Sequence, residues 1–276
     1  MSAWLDELRQ ALDVAPEVVA FFFRDDDGGW NDERLYELLD LFTRHSMPID
    51  VAMIPAALTT GLATELRARI EAESNKVAIH QHGFSHQNHE PEGRRKCEFG
   101  ITRESVLQLK DIEAGKRRLF DLLGPGVSPV FTPPWNRCAY VTGERLLQAG
   151  FRILSRDSTA EPLNLEGLLE LPITVDWFAR QKGVRLSPYK LGSALAASIK
   201  ISAPVGIMFH HALMDEDERQ RAGELMALLA SHQKAQCYLM EQLAINLSQD
   251  IAARVSGQPS ARPQFVLPAL AQAEGK

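Results

Sequence analysis

Seven short apolar runs, separated by stretches of helical spacing, constrain this chain more than any other feature. They read VVAFFFRD (18–25), PIDVAMI (48–54), KVAIHQH (76–82), PVFT (129–132), RILSR (152–156), LLELPIT (168–174) and VGIMFHH (205–211). A strand that is apolar along its whole length is buried on both faces, the condition of a parallel sheet covered by helices. The stretches between them supply those helices: Leu35, Leu38, Leu39 and Phe42; Leu62, Leu66 and Ile70; Val106, Leu109, Ile112, Leu119 and Phe120; Leu146 and Leu147. A lead-in helix carries Trp4, Leu5, Leu8 and Leu12. Strand–helix alternation argues for βα units, and seven of them within residues 18–211 suit a (β/α) barrel better than an open sheet. Asn31 or Asp32 is expected to cap a helix, Gly124-Pro125-Gly126 to stop one, and Pro48 to open a strand. One domain is expected over residues 1–254. The Pro- and Ser-containing stretch 255–276 is expected to be a flexible tail, or an arm docked on a neighbour.

Composition removes several classes of function. With 45% apolar residues in 276, the chain has material for a sizeable core. No apolar run approaches the roughly 18–20 residues of a membrane span. The first fifteen residues carry Asp6, Glu7 and Asp13 in place of a basic start and an apolar stretch, so no secretory signal is expected and the protein reads as cytoplasmic. Cys97, Cys138 and Cys237 are too few and too far apart for a disulfide framework or a Cys-x-x-Cys metal site. A net charge of −6 argues against nucleic acid, and Arg94-Arg95-Lys96 reads as a solvated loop.

The polar residues are not scattered. Asp25-Asp26-Asp27, His80/His82/His86, Pro133-Pro134-Trp135 and His210-His211 each follow an apolar run, at the strand edge where α/β proteins assemble their sites. His82 and His86 lie four apart, and on a helical turn such a pair closes on one metal ion. His80 shares a strand face with His82. No Glu follows His82, so this is not the His-Glu-x-x-His of helical zinc proteases. Three adjacent carboxylates repel one another, so a cation is expected beside them: a metal ion, Arg24, or both. Asp25-x-Asp27-Gly28 after an apolar strand also resembles the nucleophile motif of haloacid-dehalogenase-type phosphatases, which use magnesium. That reading leaves the histidines and the Pro-Pro-Trp segment without a role. The two prolines predict a rigid extended segment that can aim one N–H at a developing oxyanion.

Taken in order, these motifs resemble those of the polysaccharide deacetylase family, metal-dependent carbohydrate esterases that remove acetyl groups from sugars. Its Thr-Phe-Asp-Asp-Gly resembles Arg24-Asp25-Asp26-Asp27-Gly28, and its His-(Ser/Thr)-x-x-His resembles His82-Gly83-Phe84-Ser85-His86. Its Arg-x-Pro-Pro-(Tyr/Trp)-like segment resembles Phe131-Thr132-Pro133-Pro134-Trp135. Its Asp-Trp and Leu-x-His motifs resemble Asp176-Trp177 and Met208-Phe209-His210. The resemblance spans residues 18–215 and implies a distorted (β/α) barrel with about seven parallel strands.

With Gly28 setting the register, the resemblance implies Asp26 as general base and Asp27 as metal ligand; a slip of one makes the pair Asp25 and Asp26. Asp27, His82 and His86 would hold one divalent ion, zinc first, with cobalt, nickel or iron also suited to the donor set. The Trp135 N–H would face the oxyanion, with Pro134, Trp177 and Asp25 as further substrate-side candidates. His210 or His211 would protonate the leaving amine, with Asp176 orienting it. The family's third-motif Arg is replaced by Thr132, and Arg24 or Arg137 could take its place. The implied partner is a small or oligomeric N-acetylated sugar, with no nucleic acid and no membrane; self-association is left open. Hydrolysis of a cyclic ureide or imide, a magnesium phosphatase, and a barrel that only binds glycans are the rival readings.

Overall fold

The computed structural model describes residues 2–73, 76–201 and 204–256. In chain order the strands are β1 (Val19–Gly28), β2 (Ile49–Met53), β3 (Val77–His82), β4 (Val127–Thr132), β5 (Ile153–Leu154), β6 (Leu169–Glu170), β7 (Val175–Asp176), β8 (Arg180–Gln181), β9 (Val184–Arg185), β10 (Val205–Phe209) and β11 (Ala235–Cys237). The helices are α1 (Asp6–Asp13), α2 (Asp32–Arg44), α3 (Thr60–Ala72), α4 (Ser105–Leu123), α5 (Tyr140–Gln148), α6 (Pro188–Ile201), α7 (Glu216–Ser231) and α8 (Met240–Ser256). The main sheet runs β6-β5-β4-β3-β2-β1-β10-β7, and β11 pairs with the start of β1. Its pairings are parallel, and β8 and β9 form a separate antiparallel hairpin.

The two ends of that sheet meet in one broken strand. The N–H groups of Leu169, Leu171 and Ile173 donate to the carbonyls of Arg152, Leu154 and Arg156, after which those of Thr174 and Trp177 donate to Gly206 and Met208. The run therefore leans on β5 first and on β10 second, closing a distorted (β/α) barrel with seven strand positions, as the sequence predicts.

Alternation along the strands sorts side chains between two cores. Ala20 and Phe22 pack with Val130, Ile153, Ile173 and Met208, and with Met240, Leu243 and Leu247 of α8, which closes the end remote from the strand C-termini. Phe21 and Phe23 belong to the larger core under the helices, where Phe23 meets Phe42 edge-on and stacks on Phe209. A third cluster, including Phe99, Ile112, Phe131 and Leu154, fills the space under α4 and α5. Asp50 on β2 is fully buried and accepts the Met240 N–H at the start of α8; burial pushes its carboxyl up to about 8.

The local signals mostly hold. Gly124 ends α4 at φ 80°, and Pro48 precedes β2. Asn31 stands at the N-cap of α2 but in left-handed conformation with no side-chain cap bond, and Asp32 is the first helical residue. The elements α6, α7, α8, β11 and the β8–β9 hairpin have no counterpart in the sequence reading, although Asp215 and Glu218 form a reciprocal capping box ahead of α7. Residues 257–276, most of the expected tail, lie outside the described residues. Among the described residues, no helix is long and apolar enough to cross a membrane.

Candidate metal and hydrolytic site

The site begins with a break in the alternation of β1. Arg24 and Asp26 point into the barrel, while Asp25 points outward between β1 and the segment after β10. Asp27 would follow Asp25 outward, but the β1–β2 register shifts between Asp25 and Gly28, and Asp27 takes φ 67°. A bulge of this kind re-aims a side chain. Asp26 and Asp27 consequently both reach the barrel mouth.

Asp27 Oδ1 lies 3.3 Å from His82 Nε2 and 3.2 Å from His86 Nε2. It is buried with no well-aligned hydrogen-bond donor, and the three side-chain atoms lie within 4.8 Å of one another, a grouping that could hold one metal ion. His82 ends β3, and its Nδ1 lies 3.0 Å from the Thr132 carbonyl, which turns Nε2 toward Asp27. His86 comes from a loop and not from the helical turn the spacing suggested: Gly83 and His86 both have positive φ, 56° and 57°. Glu98 builds that loop. Fully buried, it accepts hydrogen bonds from the Phe84 and Ser85 N–H groups and from Ser85 Oγ. Burial alone would raise the Asp27 carboxyl, but the adjacent imidazoles of His82 and His86, with His210 beyond, drive it far below the usual carboxylate range. His82 is raised in return: burial opposes its charge, and Asp27 and Asp26 outweigh the burial.

Asp26 is gripped by Arg24, with Nε 2.7 Å from Oδ1 and Nη2 donating to Oδ2 at 2.9 Å. Arg24 is fully buried and also reaches Ser155 Oγ at 2.8 Å, the Ser155 carbonyl at 3.1 Å and Asn136 Oδ1 at 2.6 Å. Of the two arginines considered for the place left by Thr132, Arg24 is the one in contact with Asp26. Arg137 instead donates to the Lys96 carbonyl at the rim. His80, below them, meets Thr132 Oγ1 at 2.8 Å, and burial and Arg24 hold its pKa well below the usual value.

The neighbouring histidines part company. His210 faces the mouth, with Nε2 4.0 Å from Asp27 Oδ2, its ring edge-on to Phe178 and its Nδ1 without a hydrogen-bond partner. His211 faces outward and is sealed in. Its N–H donates to Asp25 Oδ1, its Nδ1 lies 2.6 Å from Asp25 Oδ2, and its Nε2 lies 2.5 Å from the Trp30 carbonyl. Burial opposes the charge of His211, but Asp25 overcomes it and pushes the imidazole up to about 9. Asp25 and His211 therefore hold one another and do not line the site. Asp176 accepts from the Phe178 N–H at 2.8 Å; burial raises its carboxyl and the charge of His210 lowers it, so the two sense each other without a hydrogen bond.

The segment after β4 departs from the extended conformation expected of it. Pro133 is extended, but Pro134–Asn136 form a 3₁₀ turn in which Trp135 and Asn136 adopt φ 56° and 57°. Left-handed backbone at Asp27, His86, Trp135 and Asn136 is thus concentrated around one site, where such strain is typical. Pro134 is buried under the Gly83 turn. As the second residue of that turn, Trp135 carries an N–H that intrahelical bonding does not use. Its ring lies 4.4 Å from that of His86. Trp30 also lies against His86, its ring edge-on at 4.8 Å, and is 42% exposed. Trp177 is instead a core residue, packed on Trp4 and Phe209. Trp30 and Glu98 were not anticipated; Trp30 had a signal in its place just past Gly28-Gly29, and Glu98 had none.

No family model matches the sequence, and no curated protein matches it. Solved structures do. A Mycobacterium smegmatis protein assigned to the polysaccharide deacetylases is 16% identical with a TM-score of 0.65, over 92% of this chain and 96% of that one. A family 4 acetyl xylan esterase from Clostridium thermocellum, in complex with cobalt, is 11% identical at 0.53, over 87% and 93%. A family 4 pseudoenzyme from Bacillus anthracis is 11% identical at 0.54, over 83% of this chain and 66% of that one. The chain has the fold of the polysaccharide deacetylases, a fold that carries active and inactive members alike.

Proposed function

We propose that this chain, built on the polysaccharide deacetylase fold, is a metal-dependent hydrolase that removes an N-acetyl group from a sugar or a similar N-acylated substrate. The observation that carries the reading is the convergence of Asp27 Oδ1, His82 Nε2 and His86 Nε2 beside the Arg24-bound carboxylate of Asp26. A buried carboxylate oxygen without an aligned donor, facing two imidazoles, fits a divalent ion. Two nitrogens and one oxygen suit zinc, and also cobalt, nickel or iron. Such an ion supplies Lewis acidity, activating water and polarising the acyl oxygen.

The remaining chemistry belongs to the chain. Asp26 accepts the proton of the attacking water, its carboxylate oriented by Arg24. The Trp135 N–H donates to the developing oxyanion, a contribution of about 3–4 kcal/mol where such a donor is well placed. His210, the histidine that faces the mouth, gives a proton to the leaving amine, with Asp176 tuning its charge. Hydrolysis of another non-peptide C–N bond would use the same parts, and a panel of acetylated sugars and cyclic ureides separates the two. The phosphatase reading needs Asp25 as nucleophile, and both oxygens of Asp25 are taken by His211. With Arg24 on Asp26, the missing third-motif Arg no longer argues for a barrel without catalysis.

Metal content by elemental analysis, compared among wild type, His82→Ala and His86→Ala, tests the proposal together with acetate release. About one equivalent of metal in the wild type, lost in both variants, and acetate release abolished by Asp26→Asn are expected. A wild type that stays empty after incubation with zinc, cobalt and nickel would overturn it.

A further inference from the structure

The rim beside Trp135 changes sign. Lys96 Nζ stands 6.0 Å from the centre of the Trp135 ring, within cation–π range, and the same ring leans on the metal-site His86. Arg137, two residues beyond Trp135, donates to the Lys96 carbonyl at 3.0 Å and so ties the 91–96 loop to the turn that carries Trp135. Arg95 is close enough that its charge, after burial, lowers the pKa of Arg137. Among the described residues, Arg95, Lys96 and Arg137 form no ion pair. The nearby acids are engaged elsewhere: Glu90 takes Arg94 at 3.7 Å and Thr102 Oγ1 at 2.8 Å, Glu98 holds the His86 loop, and Asp157 accepts the Thr159 N–H while acting on Arg137 only through space. Glu92, on the same loop, is exposed and unpaired.

Two cations without an ion-pair partner, Lys96 and Arg137, gathered at one aromatic ring are not an average surface on a chain of net charge −6. Like charges held together repel and raise the free energy unless an anion joins them. Guanidinium groups present planar forks that match phosphate and carboxylate oxygens, and an indole face suits the apolar side of a sugar ring. The arrangement lies one aromatic ring away from the metal-ligand cluster.

We propose that Lys96 and Arg137, with the face of Trp135, form an anion-recognising subsite, so that the N-acylated sugar bound here carries a phosphate or carboxylate group. The substrate half of this inference rests on the hydrolase reading; the anion-binding half does not.

Metal-free protein is therefore titrated with N-acetylglucosamine, its 6-phosphate and an N-acetylated amino-uronate in a phosphate-free buffer, followed by tryptophan fluorescence and calorimetry. Binding of at least one anionic sugar tenfold or more tighter than the neutral one is expected, and the stronger of the two identifies the anion. Lys96→Gln and Arg137→Gln should each remove most of that preference, lowering the affinity for the anionic sugars at least tenfold more than that for the neutral one, and added salt should weaken mainly the anionic ligands. Equal affinity for all three, no binding of any up to 10 mM, or a preference that survives both variants but vanishes in His86→Ala would overturn the proposal. Acetate release by the metal-loaded protein is measured on the same three sugars. Its absence from all of them strikes the hydrolase reading and leaves the binding result standing by itself.

Discussion

Arg24 has no contact with solvent, and removing a guanidinium from water costs several kcal/mol unless charge and hydrogen bonds compensate. Asp26, Ser155 and Asn136 supply that compensation, and the same bonds set the direction of the Asp26 carboxylate. Arg24→Met should leave Asp26 buried and unpaired, lowering stability in urea unfolding by about 3–5 kcal/mol. Asp26→Asn keeps an acceptor but leaves the buried guanidinium without its counter-charge, so it too should unfold earlier in urea, while kcat falls a hundredfold or more. A double-mutant cycle on kcat/KM should show coupling of about 1 kcal/mol or above between the two residues; independent effects would remove Arg24 from the role of orienting the base. The choice between His210 and His211 is also made at this scale. Alternation along β10 puts Met208 and His210 inside the barrel and Phe209 and His211 outside, and the stacking of Phe209 on Phe23 identifies the outer face.

The elements contribute their ends. Asp27 takes left-handed backbone at the bulge near the end of β1, and short segments after β3 and β4, also with left-handed residues, carry His86 and Trp135 the last few ångströms to the mouth. The loop after β3 depends on Glu98, and on Gly83, where a Cβ would come within 2.2 Å of Glu98 Oε2 and 2.6 Å of Pro134. Glu98→Ala should weaken metal binding by about ten- to a hundredfold, as loss of groups that orient ligands commonly does. Competition with a chromophoric chelator gives that number directly. Thermal unfolding of the metal-free variant separates a local effect from general destabilisation, and an unchanged metal affinity would show that the loop holds His86 without Glu98.

Across the whole molecule, two buried groups tie stability to pH in the same direction. His211, pushed to about 9 from an ordinary 6.5, contributes fully below pH 6.5 and loses that contribution as pH rises through 9. Asp50, pushed to about 8 from 3.8, holds its proton more tightly when folded, so its contribution is full below about pH 4 and lost on passing 8. Urea midpoints measured at pH 6, 7.5 and 9 should therefore decline. Asp50→Asn keeps the bond to the Met240 N–H, should flatten part of the slope, and should exceed the wild type in stability at pH 9. A profile that is level or rises over this range would contradict both assignments.

What the sequence determined alone was periodic or local. Continuous apolar runs declared buried parallel strands, helical spacing declared their cover, and polar residues at the run ends declared the edge where a site assembles. Those signals are carried by neighbours along the chain, so a barrel with Asp26, Asp27, His82, His86, Trp135 and one of His210 and His211 near its mouth was legible in advance. Tertiary structure decided what depends on distant parts of the chain. The bulge that turns Asp27 inward, the ion pair of Arg24 with Asp26, the sealing of His211 by Asp25 and Trp30, and the burial of Trp177 each follow from which face of a strand meets the barrel interior. Alternation by itself names two faces and cannot say which is inside; only ring closure through Leu169–Trp177 makes one of them the site.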